Sequence, residues 1–195
     1  MKKLTKEILF RFEKSFRILN TNEMRNFIGG DKYIFNASGQ ITDVIPESGN
    51  DMVYANGDTS GFELGQYTHV SSGMVGEQNR QGILISGASF ELFEYFAKKT
   101  NVEWGLSYNS TSQKEEFNGT LSTNFDTSTI DPVFCKGDDS YIHSHPGNTK
   151  KVNKDDQTLA DFVYSNRKFN LEYHYKDVEI YTPEDGERIR IDKSF

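Results

Sequence analysis

Two histidines separated by a single residue, His143 and His145, place the strongest constraint on how this chain can fold. Residues i and i+2 of an extended segment point to the same side, so on a strand both imidazoles can face one cation. A Pro-Gly pair follows and ends the strand, and the acidic pair Asp155-Asp156 comes a short loop later. The spacing indicates two imidazoles and one carboxylate around a cation, with one position of a tetrahedral ion left open.

Helices and strands alternate around this motif. Apolar residues at helical spacing predict a helix over Ser89–Thr100, with Ser89 as its N-cap. Residues 101–108 alternate as a strand does, and Asn153 can cap a second helix, with Asp156 as its capping-box partner. We therefore predict an α/β chain of the α+β type, with a mixed central β-sheet flanked by helices. Further strands are predicted over 120–130, 140–143, 170–175 and 178–181.

Glu103 lies on the predicted strand 101–108, on the face opposite Val102 and Trp104. Its neighbours on that face are small or polar. This carboxylate therefore lies either at the sheet surface or along a cleft, and the spacing alone does not choose between them.

The first thirty residues differ from the rest of the chain in charge and pattern. They carry seven Lys or Arg against three Glu, whereas the remaining residues carry 15 basic and 26 acidic side chains. An amphipathic helix is predicted from Thr5. Gly29-Gly30 is preceded by apolar and acidic residues at fixed distances, which are Phe27, Met24, Glu23 and Leu19.

This pattern resembles the double-glycine leader of peptides exported by bacterial ABC transporters that carry their own peptidase domain. The resemblance implies a cytoplasmic precursor, cleavage after Gly30, and a secreted protein that begins at Asp31. The alternative is an ordinary N-terminal helix that ends at a glycine C-cap.

Residues 31–88 form a predicted N-terminal extension. Tyr33–Phe35 and Ile41–Ile45 are two short predicted strands, and the glycine-spotted region after Pro46 is typical of loops or short irregular strands. His69 lies there and is expected at the surface.

Composition excludes several classes of function. The net charge of −7 argues against binding to a nucleic-acid backbone, which needs clustered Lys and Arg. The sequence contains no run of about 18 apolar residues, so we predict no membrane-spanning helix. Cys135 is the single cysteine, so no intramolecular disulfide can form, and its apolar flank predicts a buried thiol. His174 is expected to pack among aromatic residues.

The motif His143-Ser144-His145-Pro146, with Asp156 after ten intervening residues, is similar to the metal signature of the JAB/MPN (JAMM) metalloproteases. Glu103, two residues before a glycine, resembles their strand glutamate. Residues 89–195 hold this JAB/MPN-like domain, and 89–185 most resemble the JAB-like toxin domain of bacterial secreted effectors. The fold this implies is the JAB/MPN, cytidine deaminase-like architecture.

The resemblance implies a role for each matched residue. His143, His145 and Asp156 would hold Zn²⁺, with Asp155 as the competing ligand. Glu103 would take a proton from the attacking water, and Ser144 or Asn153 would donate to the oxyanion. Asn153 stands where the family usually has serine.

The implied function is a secreted peptidase or isopeptidase that acts on a protein or peptide substrate, with an immunity protein as a further partner. The alternative is a non-catalytic binding module on the same fold, which recognises a peptide or a cell-surface partner. A third interpretation makes the histidines polar residues at a strand end and Asp156 a helix-cap acid only.

Overall fold

The computed structural model of the protein describes residues 30–66, 68–75, 80–109, 119–124, 139–147, 150–166 and 177–192. The amphipathic helix predicted from Thr5, the thiol of Cys135 and the ring of His174 lie outside these residues. The two described helices are α1 (Phe90–Lys99) and α2 (Lys154–Asn166). The described strands are β1 (Asp31–Phe35), β2 (Ile41–Pro46), β3 (Met52–Ala55), β4 (Phe62–Glu63), β5 (His69–Val75), β6 (Arg80–Ala88), β7 (Trp104–Asn109), β8 (Gly119–Asn124), β9 (Asp139–Ser144), β10 (Val178–Thr182) and β11 (Glu187–Arg190).

Seven strands form the larger of two sheets, in the order β11-β10-β9-β7-β8-β6-β5. Adjacent strands of this sheet are antiparallel except β9 and β10, which run parallel. The helix α2 lies between these two strands in the sequence, as the crossover of a parallel pair requires. The predicted mixed sheet and the α/β class are confirmed, although the described residues are mostly strands and hold little helix.

Four strands form the smaller sheet, in the order β2-β1-β3-β4. Its first two strands confirm the predicted pair, and they are joined antiparallel. The region after Pro46 also supplies the regular strand β5, which the sequence did not predict. Both β5 and β6 belong to the larger sheet. His69 is exposed, as predicted.

The main core lies where α1 and both sheets meet. Ser89 caps α1 as predicted, because its side chain accepts a hydrogen bond from the Leu92 backbone N–H. Phe96 on α1 is fully buried, and its ring centroid lies 4.8 Å from that of Phe35 and 4.4 Å from that of Trp104. These three aromatic rings connect the smaller sheet, the helix and the start of β7.

Gly30 is an integral part of the folded chain. Its N–H donates to Gly49 O at 2.6 Å, and its carbonyl accepts from Glu47 N at 2.9 Å. The residue is buried, and a side chain at this position would overlap the peptide between Asn50 and Asp51. The bond that follows Gly30 therefore lies against the folded domain. Among the described residues, neither helix has the length and apolar character of a membrane span.

Candidate metal centre

The two histidines lie at the end of β9, inside the larger sheet. His143 is 1% exposed and His145 is 4% exposed. Their Nε2 atoms are 3.1 Å apart, so both rings face the same point, as the spacing predicts. The backbone N–H of His145 donates to Tyr181 O at 2.9 Å. This bond to β10 holds the second histidine in place one residue beyond the end of β9.

The carboxylate of Asp156 reaches the histidines from the first turn of α2. Its Oδ2 accepts from the Asn153 backbone N–H at 2.7 Å, and Asn153 Oδ1 accepts from the Asp156 N–H at 2.9 Å. This reciprocal pair is the predicted capping box. It leaves Oδ1 of Asp156 at 3.0 Å from His143 Nε2 and 3.4 Å from His145 Nε2. Asp155 is exposed, so Asp156 is the acid that joins the histidines.

Three atoms of this buried cluster have the spacing of metal ligands. The separations of 3.0, 3.1 and 3.4 Å form a compact triangle of two imidazole nitrogens and one carboxylate oxygen. Ligands about 2.0–2.1 Å from a tetrahedral ion lie roughly 3.3 Å from one another. Among the described residues, His143, His145 and Asp156 are the group that could bind a metal ion in this way.

The environment of Asp156 keeps its carboxylate ionised. Burial alone would raise the pKa of this group, but hydrogen bonds with His143, His145 and the Asn153 backbone N–H outweigh burial and lower the pKa well below its usual range. A metal ligand must be deprotonated to bind a cation. Asp156 therefore meets that condition at neutral pH before any ion arrives.

A cleft of about 380 Å³ opens beside the cluster. His145 lines it, together with Glu103 and Asn153, which the sequence analysis singled out. Glu103 is half-buried, directly before β7. The structure thus brings the predicted glutamate and the predicted asparagine to the same cleft as His145, one of the three candidate metal ligands.

Ser144 has a different position from the other predicted site residues. It is fully buried and is not among the residues that line the cleft. Its Oγ accepts a hydrogen bond from the Trp104 backbone N–H at 2.9 Å. Trp104 directly follows Glu103, so this bond fixes the peptide that carries the glutamate against the end of β9. No local sequence pattern predicts this contact, because its partners are 40 residues apart.

The ring of His143 is oriented by packing. Its Nδ1 is buried and has no hydrogen-bond partner among the residues that the structure describes. Instead the ring stacks on Tyr141, with centroids 5.7 Å apart and an interplanar angle of 17°. Gly105 lies opposite His143 in the β7–β9 register, and a side chain there would overlap the Tyr141 ring. Gly105 is required for space at this position.

We expect Gly105→Ala to lower the free energy of unfolding by about 1–3 kcal/mol, because the added methyl group must displace the buried Tyr141 ring. Urea unfolding measures this loss. Gly65→Ala is the matched control, since its added carbon would meet only Thr68 Oγ1 at 3.5 Å, an ordinary contact. Equal stabilities of the two variants would contradict the packing of Gly105 against Tyr141.

Asn153→Ala should cost about 1 kcal/mol of unfolding free energy, because Asn153 Oδ1 caps the N–H groups of Asp155 and Asp156. It should also weaken metal binding by about tenfold, since the cap orients the Asp156 carboxylate. Thermal unfolding and a competitive chelator assay measure the two effects. Asn153→Ser, which keeps an acceptor, should recover most of the stability; an alanine variant as stable as wild type would refute the cap.

Comparisons of this chain with protein-family models, with curated proteins and with solved structures found no match. The chemistry must therefore be inferred from the cluster and its cleft. A cation at this site would touch three protein ligands, with a carboxylate and an amide side chain along the adjoining cleft. Such a set of groups can activate water and stabilise developing negative charge.

Proposed function

We propose that this protein is a zinc-dependent amide hydrolase of the JAB/MPN (JAMM) type, with the JAB/MPN architecture, that cleaves a peptide or isopeptide bond. One observation carries the proposal. The Nε2 atoms of His143 and His145 and Oδ1 of Asp156 converge within 3.4 Å of one another beside the cleft that Glu103 lines. Two imidazoles and one carboxylate suit zinc, and three protein ligands leave a coordination position free, as in catalytic zinc sites.

Glu103 is the general base of the proposed reaction. When bound at the cluster, zinc would supply Lewis-acid activation of water and of the substrate carbonyl. Glu103 takes a proton from the attacking water and later passes it to the leaving amine. Glu103 is half-buried and lines the cleft, and the Ser144–Trp104 hydrogen bond fixes its backbone.

Asn153 is the donor to the oxyanion. Its Oδ1 accepts from the N–H groups at the start of α2, which orients the side chain of a residue that lines the cleft. The Nδ2 hydrogens can then donate to the oxygen on which negative charge develops. Ser144 acts as a positioning residue for Glu103, because its hydroxyl oxygen already accepts from Trp104 N–H.

We further propose that the protein is secreted after an ABC transporter with a peptidase domain removes residues 1–30. The burial and hydrogen bonds of Gly30 imply that this cleavage precedes folding. After it, the new α-ammonium group of Asp31 would lie against Asp51, whose Oδ1 already accepts from Asp31 N at 2.6 Å. An immunity protein would protect the producing cell from the folded hydrolase.

The test is a digest of a mixed peptide library by the purified chain, read by mass spectrometry. We expect cleavage by the zinc-loaded protein, loss of cleavage after treatment with 1,10-phenanthroline, and recovery on adding zinc. Cleavage that persists in the chelated protein would contradict the proposal. Zinc-loaded protein that cuts neither peptide nor isopeptide bonds would also contradict it.

A further inference from the structure

Two lysines at the cleft lack an acidic partner within the part of the chain that the structure describes. Lys151 and Lys154 line it on either side of Asn153, and both are exposed. Val152 between them is half-buried and packs against the core beside Tyr141 and Ala160, which fixes this segment. Among the described residues, neither lysine takes part in an ion pair, whereas the neighbouring Lys150 lies 2.7 Å from Asp185 and 2.8 Å from Glu187.

This arrangement stands out against the charge of the rest of the protein. Acidic residues exceed basic ones by seven, so a carboxylate is available to most lysines. Of the six described lysines, four lie in ion pairs, which are Lys32, Lys98, Lys99 and Lys150. The two that lack an acidic partner are the two that line the cleft.

The charges along the cleft favour an anionic ligand. The described residues that line it include two lysines and one residue with a carboxylate, Glu103. Lys154 is also the first residue of the 13-residue helix α2, whose N-terminal end carries partial positive charge. A bound divalent cation would add further positive charge next to His145. Lys151 and Lys154 carry two positive charges against one negative charge on Glu103, and a bound divalent cation would outweigh the charge of Asp156. With the cation bound, the cleft is thus locally cationic on a protein of net negative charge, which steers anions toward it.

We propose that this cleft selects an acidic peptide segment, with Lys151 and Lys154 binding carboxylates on either side of the bond to be cleaved. This inference rests on the proposed function, since it names the substrate class of the same site. A carboxylate can come from an Asp or Glu side chain or from the C-terminus of a peptide, and both offer the same pairing chemistry to an ammonium group.

A peptide-binding assay tests the role of the two lysines independently of whether the protein hydrolyses the peptide. The probes are three fluorescein-labelled pools of random octapeptides. The first is amidated with Asp or Glu at the two central positions, the second is amidated with Asn or Gln there, and the third has Asn or Gln there and a free C-terminal carboxylate. Zinc-loaded wild type is compared by fluorescence anisotropy with the double variant Lys151→Gln/Lys154→Gln. Lys150→Gln is the matched control, because it removes one neighbouring charge outside the cleft lining.

We expect wild type to bind the acidic pool about fivefold or more tightly than its amide twin, from two exposed ion pairs. The double variant should lose this preference and Lys150→Gln should keep it. Tight binding of both the acidic pool and the free-carboxylate pool would support the lysine assignment and show that either carboxylate serves. Tight binding of the free-carboxylate pool alone would identify the terminal carboxylate as the source. No discrimination by wild type, or an equal loss in Lys150→Gln, would overturn the inference.

Cleavage of the same pools shows which proposal fails. Selective binding of acidic peptides without any cleavage would contradict the hydrolase and leave the lysine assignment standing, as for a non-catalytic binding module. Cleavage of all pools at equal rates, with equal binding, would leave the hydrolase standing and overturn the assignment of the lysines.

Discussion

Glu103→Gln should lower the rate of amide hydrolysis by about 10²–10⁴-fold and leave the metal content unchanged. Glutamine has the shape of glutamate but cannot take a proton from water at neutral pH. Glu103 lies outside the group of His143, His145 and Asp156 that could hold the ion. Its loss should therefore remove proton transfer while the cluster and the fold stay intact.

Steady-state kinetics on a cleaved library peptide, with metal analysis of the same samples, measures both parts of this prediction. Glu91→Gln is a suitable control, because Glu91 is an exposed glutamate of α1 in the first turn of the helix. Turnover within threefold of wild type would remove Glu103 from the role of base. Loss of the metal would instead identify it as a ligand.

Asp156→Asn should weaken zinc binding by more than about 100-fold, since even residues that only support ligands contribute 10–100-fold. Asparagine keeps an oxygen for the Asn153 N–H, so the capping box survives while the ligand charge is lost. Asp156→Ala removes the ligand together with the acceptor for the Asn153 N–H, and should cost about 1 kcal/mol more in unfolding free energy. The pair of variants separates metal binding from helix capping.

Competition with a fluorescent zinc chelator measures these affinities. Asp155→Asn is the matched control, because it makes the same chemical change one residue away, on an exposed side chain. We expect this control to bind zinc as wild type does. Full zinc affinity in Asp156→Asn, or a loss confined to Asp155→Asn, would show that the ligands are assigned incorrectly.

The parts of the site that could be predicted are those that depend on residues close together in the sequence. The histidines are two residues apart on a strand, and the capping box joins residues three apart, so backbone geometry alone determines these contacts. The structure has the two imidazoles 3.1 Å apart and the reciprocal Asn153–Asp156 hydrogen bonds. The sequence left Asp155 as a competing ligand, and only the structure, in which Asp155 is exposed and Asp156 is buried, distinguishes the two.

Contacts between distant segments could not be predicted from such patterns. Ser144 accepts from Trp104, and the need for a glycine at 105 depends on a tyrosine in another strand. The strand β5 has a glycine and two serines among its seven residues, which weakens its local signal; pairing with β6 determines it. The position of Lys151 and Lys154 along the cleft, and their lack of acidic partners among the described residues, also depend on the folded structure.

The most direct test of the metal centre is anomalous diffraction at the zinc edge from crystals of the zinc-loaded protein. We expect a single strong peak about 2.0–2.2 Å from His143 Nε2, His145 Nε2 and Asp156 Oδ1, with solvent as the fourth ligand on the side of Glu103. No peak at this cluster, or a fourth protein side chain that closes the coordination sphere, would contradict a catalytic zinc site.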